Sequence, residues 1–527
     1  MALEALGRRH SRRTFLKGAG AAAVGGMLFV HGAWIPVAAA ERVGVAHGSA
    51  LRGIGLPAKK GRRVQGRFGF MFPDLPAYSV PLALTDALAA SMRDPDTGGR
   101  DAVKGGSGDN DSIPSGFTFF GQFTDHDLTM DRETLGNQVA DPDGSTNFRA
   151  PTLNLDSVYN PIQPDGVSTG AIRDGDKLLL VVNGNGVLDL PRNADGTAKL
   201  GDPRNEENLL ICQIHIAVAR FHNRLVDEGF SFDEARLLAT WHYQWVVMTD
   251  LLPRIVGQDR LDRIVEYRAH GKPKVKTSFY RPNNINKVFT PLEFAVAAYR
   301  FGHTQIRNLY KVNLLDPVPA NRFGIQGPVA NATNLNGFRA IPATHVMDFR
   351  NFFEFADSPN PRIPPLFNST RGMDAILSPN LLNLPVQSLP SAPDRTSLPA
   401  RNLQRGVQVG LPSGQAVARA IGAPVLTNAD LAPGVARPAT GGTSIDVLAD
   451  PAFNGECPLW FYLLAESAAT DSRQRLGPVG ATIVAETLVG IMDADKGSFF
   501  QANAWQPMSS QFRMQEFLEY AGVVTAV

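Results

Sequence analysis

A histidine set between two aspartates, with a glutamine four residues before it, is the first place where this chain could do chemistry: GQFTDHDLTMD, Gly121 to Asp131. Each helical residue turns the chain by about 100°, so Gln122 and His126 share a face while Asp125 and Asp127 point to its opposite flanks. A neutral imidazole beside an amide can handle a small polar ligand. One carboxylate can then reach something beside that ligand, and the other can hold a cation on the far side. A second block, GDPRNEENLL (Gly201 to Leu210), places Arg204 and Glu207 three apart at a helix start, so both project to one side. A third, YRFGHTQI (Tyr299 to Ile306), puts Arg300 and His303 on one face of an otherwise apolar helix. Taken singly, each block also reads as a solvated acidic helix start or as a core histidine whose nitrogens are satisfied.

These blocks need rigid elements to position them. The chain has 527 residues, 43% of them hydrophobic, so a sizeable core is within reach. Lys and Arg number 51 against 50 Asp and Glu, which leaves no general electrostatic case for nucleic acid or an anionic membrane as partner. The 50 Gly and 38 Pro point to many irregular connections. Two cysteines, Cys212 and Cys457, exclude a disulfide scaffold and a four-Cys zinc site. Cys212 falls in an apolar helical pattern, which favours a buried free thiol over a bridge.

Helical signals dominate after residue 116. EENLLICQIHIAVARFHNRLVDEG (Glu206 to Gly229) opens on acids, keeps apolar residues at helical spacing and stops at glycine. Ser231 and Glu234 form a capping-box pattern before the next helix, and Thr290, Pro291 and Glu293 do the same before FAVAAYRFGH. LWFYLLAES and GPVGATIVAETLVGIM read as buried helix, whereas 41–116 and about 313–400 read as turn-rich connections, including the basic KKGRR and the loop GGRDAVKGGSGDNDS. His215 and His222 read as packing or hydrogen-bonding histidines, and Trp241, Tyr243 and Trp245 are spaced for the core. Strand-like alternation is scarce. The expected fold is mainly α: one large helical domain with long irregular loops.

The N-terminus adds an address. HSRRTFLKGAG carries Arg12 and Arg13 before a Gly/Ala-rich apolar run, and the small residues VAAA precede Glu41. That order resembles a twin-arginine export leader, so residues 1–40 are read as leader, with cleavage near Ala40, and 41–527 as the mature domain. The glycines and Pro36 weigh against a membrane anchor. The expectations are the export machinery as a partner, a periplasmic or extracellular location, and no transmembrane segment in the mature chain.

Two histidines far apart in sequence, one beside Gln and Asp and the other beside Arg, suit the two sides of a flat cofactor: one would bind iron and the other would work on the open face. The blocks GQFTDHDLT, GDPRNEENLL…H…RFHNR and RFGH resemble, in the same order across about residues 65–520, those of the animal-type haem peroxidase superfamily. Together with the leader, the resemblance points to a secreted bacterial member. It implies haem b as cofactor, with His126 as the distal histidine, Arg204 as the distal arginine, Gln122 lining the distal cavity and His303 as the iron ligand. Arg300 would line the cofactor site, and Gln415, in GLPSGQAVA, would accept the proton of His303. Asp127, Thr152 and Asp156 would hold Ca2+. Asp125 and Glu207 occupy the positions of ester bonds to haem, and Asn208 replaces the methionine of a third link, which therefore cannot form.

The implied activity is reduction of hydrogen peroxide through a ferryl intermediate, with oxidation of small phenolic or halide-type reductants. Two alternatives stand beside it. In the fatty-acid dioxygenases of the cyclooxygenase-like branch, a radical-forming tyrosine lies three residues before the iron-ligating histidine; that position here is Arg300, with Tyr299 one place off. A peroxinectin-like adhesive protein would keep the scaffold for binding. The retention of Gln122, His126, Arg204 and His303 together favours the peroxidase.

Overall fold

The computed structural model describes residues 27–30, 33–36, 66–95, 109–129, 146–147, 149–159, 171–268, 271–282, 285–313, 322–324, 334–355, 368–384, 396–435, 443–502 and 505–524. The Arg12-Arg13 pair, the cleavage point near Ala40, the KKGRR stretch and the loop up to residue 108 lie outside them. Helix far outweighs strand, and the sheets are pairs or triplets of short strands, none of them closed. A mainly α architecture is therefore what the chain adopts.

Eight helices frame the site: α1 (Leu82–Ser91), α2 (Gly116–Leu128), α3 (Leu209–Asp227), α4 (Phe232–Val246), α5 (Leu398–Gln408), α6 (Gly414–Ile421), α7 (Leu459–Asp471) and α8 (Pro478–Ala494). Helix α2 carries GQFTDHDL and is rooted by Phe117, Phe119, Phe120 and Phe123, all buried. Each such ring contributes roughly 1.5–3 kcal/mol when taken out of water. Its first residue is glycine for a steric reason: a Cβ on Gly116 would lie 2.4 Å from the Phe352 carbonyl oxygen, while the Gly116 amide donates to that oxygen at 2.8 Å. Helix α2 packs on α3, and α3 on α4. Helix α3 begins where Asn208 accepts from the amides of Leu210 and Ile211, and the capping box of α4 at Ser231 and Glu234 forms as the sequence indicates.

The segment bearing His303 departs from expectation. No capping box forms at Thr290. Instead Thr290 and Pro291 pair in parallel with Phe68 and Gly69, and Glu293 turns away to accept from the amides of Met71 and Phe72 at 2.9 and 3.0 Å. The chain then runs as a π-helical turn (Glu293–Ala297) and a tighter 3-10 stretch (Ala298–His303). Bonding to a distant strand has overridden local helix propensity here. Three stretches of the turn-rich 41–116 region also take regular form: a strand at Gly66–Gly69, α1, and a strand at Asp109–Pro114 that pairs with Ser369–Arg371.

Helices α7 and α8 form the floor and pack together beneath the His303 segment. Glu466 of α7 accepts from the amides of Val479 and Gly480, satisfying the first turn of α8. Burial pushes its carboxyl up to about 8, outweighing those bonds. A folded-state value above the unfolded one means that the native state holds the proton more tightly, so this group's contribution erodes as pH rises from the ordinary glutamate range toward 8. Glu466→Gln keeps the acceptor without the charge. Its melting temperature relative to wild type is expected to improve steadily between about pH 5 and about pH 8; a difference constant with pH would contradict the assignment. Among the described residues no helix is long and apolar enough to cross a membrane. Cys212 and Cys457 are both buried and free, and Trp241 and Trp245 donate to backbone carbonyls within the core.

Candidate active site

His126 sits on the last turn of α2, buried, with Nδ1 2.8 Å from Asn205 Oδ1. Its Nε2 has no hydrogen-bond partner among the described residues. Burial, reinforced by the Arg204 cation, pushes its pKa down to about 3, so the imidazole is neutral at physiological pH. Gln122, one turn earlier, donates to Glu207 and accepts from Asn208 Nδ2 at 3.3 Å. The face predicted for Gln122 and His126 is thus shared with the second sequence block.

Arg204 is held as a fixed cation. Its Nε and Nη2 engage both oxygens of Asp202 at 3.0 and 2.8 Å, and Nη2 also donates to the carbonyls of His126 and Thr129. Among the described residues Nη1 has no hydrogen-bond partner, and the side chain is 30% exposed, so one edge of the guanidinium can meet a ligand. Asp202 also pairs with the fully buried Arg149 at 2.8 Å. Burial alone would raise the Asp202 carboxyl, but Arg204 and Arg149 outweigh it and hold it well below the usual carboxylate range.

This segment is pinned from outside. Gly337 and Phe338 donate to the Glu207 and Glu206 carbonyls, both at 3.2 Å, and a Cβ on Gly337 would lie 1.5 Å from the Glu206 oxygen. Backbone cannot yield to that approach. Gly337→Ala is expected to displace the 3-10 turn carrying Arg204 and Glu207 (Pro203–Glu206 and its C-cap) and to destabilise the fold by roughly 1–3 kcal/mol. Denaturant unfolding checks this, and unchanged stability would contradict it.

On the opposite side, His303 Nδ1 lies 2.8 Å from the amide nitrogen of Asn402, on α5. An amide oxygen and nitrogen are interchangeable in outline. With the oxygen toward His303, Nδ1–H donates and the Nε2 lone pair is free to ligate a metal. Nε2 has no hydrogen-bond partner among the described residues. Burial first, then Arg300 and Arg401, push the imidazole pKa down to about 3, and a neutral ring is what a metal ligand requires. Trp460 of α7 meets the ring edge-on with centroids 6.3 Å apart and donates to the Arg300 carbonyl. Arg300 donates to Ala295 O, and its Nη1 lies 3.4 Å from the other end of the Asn402 amide, placed as Oδ1, a long contact given up when that oxygen turns to His303.

The two halves are neighbours, because the 298–303 segment packs on α2. Gln122, Asp125, Arg204, Glu207, Arg300 and His303 are each only partly covered, although burial dominates the electrostatics of Asp125, Glu207 and His303. Partial exposure combined with deep placement in the protein is what side chains lining a site between the two halves would show. Burial raises the Asp125 carboxyl and pushes Glu207 up to about 7.

Asp127 leaves α2 on the other flank, as its position one residue after His126 requires. It accepts from the amides of Leu155 (2.9 Å) and Ser157 (3.4 Å), and burial together with nearby Asp156 pushes it up to about 7. The hydroxyls of Thr152 and Ser157 are buried in the same loop with no hydrogen-bond partner among the described residues. Leu155 is held at φ 57°, a strained value for a bulky residue.

The structure therefore brings together ten of the eleven residues singled out by sequence, in one crevice and one adjoining loop. Gln415 is the exception. Its amide bonds the Cys457 amide at 2.9 Å and reaches Leu426 O, capturing it in the α6–α7 contact, and Asn402 stands beside His303 instead. Sequence reasoning also missed Asn205, Asp202 and Arg149. A polar amide such as Asn402 among the buried Pro399, Ala400 and Leu403 is a usable signal, because buried amides have fixed partners.

A two-histidine crevice in a helical scaffold defines the class of protein, and sequence comparison names it. The animal haem peroxidase family profile matches residues 168–520, and the chain belongs to that family. Among curated proteins it is 27% identical to a chorion peroxidase of Aedes aegypti over 134 residues, 23% of this chain and 16% of the relative. It thus spans about a sixth of that protein's length. The other matching relatives are also animal proteins, which overturns the bacterial membership inferred from the leader. Among solved structures, peroxidase A of Dictyostelium discoideum superposes with a TM-score of 0.55 at 14% identity, covering 92% of this chain and 94% of its own. A fatty acid alpha-dioxygenase of Arabidopsis thaliana does so with the same score and identity, covering 92% and 83%. At that identity the superpositions establish the fold alone.

Proposed function

We propose that the chain is a haem-dependent peroxidase that reduces hydrogen peroxide and oxidises small phenolic or halide-type donors. One observation carries this reading. Two neutral imidazoles on neighbouring elements are each anchored at Nδ1 by an asparagine, His126 by Asn205 and His303 by Asn402, and each has an unpartnered Nε2. That donor set fits haem b, which His303 would hold through Nε2 with Arg300 beside it. When bound, the haem iron supplies the electrons that split the peroxide O–O bond.

The chain's own groups supply the proton handling. Nε2 of His126 takes the proton from one peroxide oxygen and returns it to the other. Arg204, oriented by Asp202, offers Nη1 to the charge developing on the leaving oxygen. Gln122, held by Glu207 and Asn208, narrows the cavity. Asp125 and Glu207 hold carboxyls whose uncharged form burial favours, the form that an ester to haem resembles; mass spectrometry after acid extraction tests those links. Asp127, Asp156, Thr152 and backbone carbonyls form a hard oxygen set suited to Ca2+. Among the described residues no three His, Cys, Asp or Glu side chains cluster as metal ligands, so the cation would depend on neutral oxygens, and the orphaned Thr152 and Ser157 hydroxyls support that. We include in the proposal export of the folded chain by the 1–40 leader, outside the cytoplasm.

One observation favours fatty-acid dioxygenation as the second reading. The Tyr299 hydroxyl is buried near Thr124, with no partner in good hydrogen-bond geometry among the described residues, and lies 4.0 Å from where a Cβ on Gly121 of α2 would stand. Haem-loaded protein given hydrogen peroxide and a phenolic dye should oxidise the dye. Oxygen uptake with linoleate and no dye oxidation would replace the first reading with the second.

A further inference from the structure

The hydrogen bond behind His126 does not end at Asn205. Asn205 is fully buried, and its Nδ2 lies 3.1 Å from Nδ1 of His215 on α3. We propose that Asn205 and His215 form an arm that sets the tautomer of His126, with His215 fixing the amide and the amide fixing the imidazole. This deepens the peroxidase reading, since the chosen tautomer decides whether His126 can act as a base.

An amide oxygen only accepts and an amide nitrogen only donates. With Oδ1 toward His126, that ring must carry its proton on Nδ1 and present a lone pair at Nε2. With Nδ2 toward His215, that ring must accept at Nδ1 and carry its proton on Nε2. Turning the amide over reverses both rings at once, so the two tautomers are locked together. The donors decide between the arrangements. His215 lines a second crevice, with Lys199, Leu200 and Gly201, holding about 20 Å³ of room, enough for a water molecule. That crevice leaves room for a water to meet an N–H on His215 Nε2. His126 Nε2 has no partner among the described residues, and a proton there would be a buried, unpaired donor, the costlier outcome. Phe123 of α2 meets the His215 ring edge-on at 6.2 Å and holds it in place. Asn205 and His215 are thus positioning residues that act through His126.

Nitrogen NMR of the haem-free chain labelled with ¹⁵N-histidine reads the tautomers directly. His126 should carry its proton on Nδ1 and His215 on Nε2, and His215→Leu should leave His126 a mixture. A proton on Nε2 of His126 in the wild-type chain, or a His126 spectrum indifferent to Asn205→Leu, would overturn the proposal. In haem-loaded protein Asn205→Leu should slow the reaction with peroxide roughly 100-fold and His215→Leu about tenfold. His215→Gln, whose amide oxygen can accept from Asn205, should recover most of the loss. The double leucine variant should be no slower than Asn205→Leu alone, and additive losses would contradict a single arm. Because the spectra need no haem, failure of the peroxidase reading would leave this test decidable.

Discussion

His303→Ala is expected to cost the protein its haem. The imidazole combines a neutral ring, an Nε2 with no hydrogen-bond partner among the described residues and an asparagine at the other nitrogen to orient it. Removing it would delete the nitrogen proposed to hold the iron. Removing only the support, in Asn402→Leu, should weaken haem affinity by about 10- to 100-fold, the usual effect of losing a partner to a ligating histidine. Gln415→Leu should leave haem affinity unchanged, because Gln415 is bonded to Cys457 and not to His303. Haem absorbance per chain after gel filtration ranks the three variants. Full retention by His303→Ala would remove the residue from its role, and a loss confined to Gln415→Leu would reverse the assignment of Asn402.

His126→Ala is expected to do the opposite: haem stays and the reaction with peroxide slows by roughly 10²–10⁴-fold, the range for deleting a positioned acid–base group. The wild-type ring is well placed for this role. It is buried at the end of a helix rooted by four phenylalanines, its Nδ1 is fixed, and its depressed pKa keeps it neutral. Arg204 cannot substitute for it, since a guanidinium stays protonated and offers charge, not a proton acceptor. Stopped-flow mixing with peroxide measures the rate, and an unchanged rate in the haem-loaded variant would remove His126 from the mechanism.

What the sequence made legible follows from how local each signal is. Helices α3, α4, α7 and α8 carry their own evidence in apolar spacing and end signals, and they form nearly where the pattern places them. His126 and His303 were legible because several blocks agree in order. The partners of those histidines were not, since Asn205 and Asn402 gain their meaning only when α2 meets α3 and α5 meets the His303 segment. Gln415 was the nearer guess in a loosely matching stretch, and packing took it elsewhere. The Thr290–Glu293 pattern failed for the same reason: it is a sound local cap, but the amides of Met71 and Phe72 compete for Glu293 and win. The strand at Asp109–Pro114 was hidden because its partner, Ser369–Arg371, lies far along the chain.

The central claim is that haem sits between His126 and His303, bound by the second and worked on from the side of the first. Titrating the purified chain with haem while recording its absorbance, then adding hydrogen peroxide, tests that claim most directly. A Soret band that saturates at a single equivalent and shifts on addition of peroxide is the expected result. A chain that takes up no haem saturably, or whose bound haem is unmoved by peroxide, would contradict it.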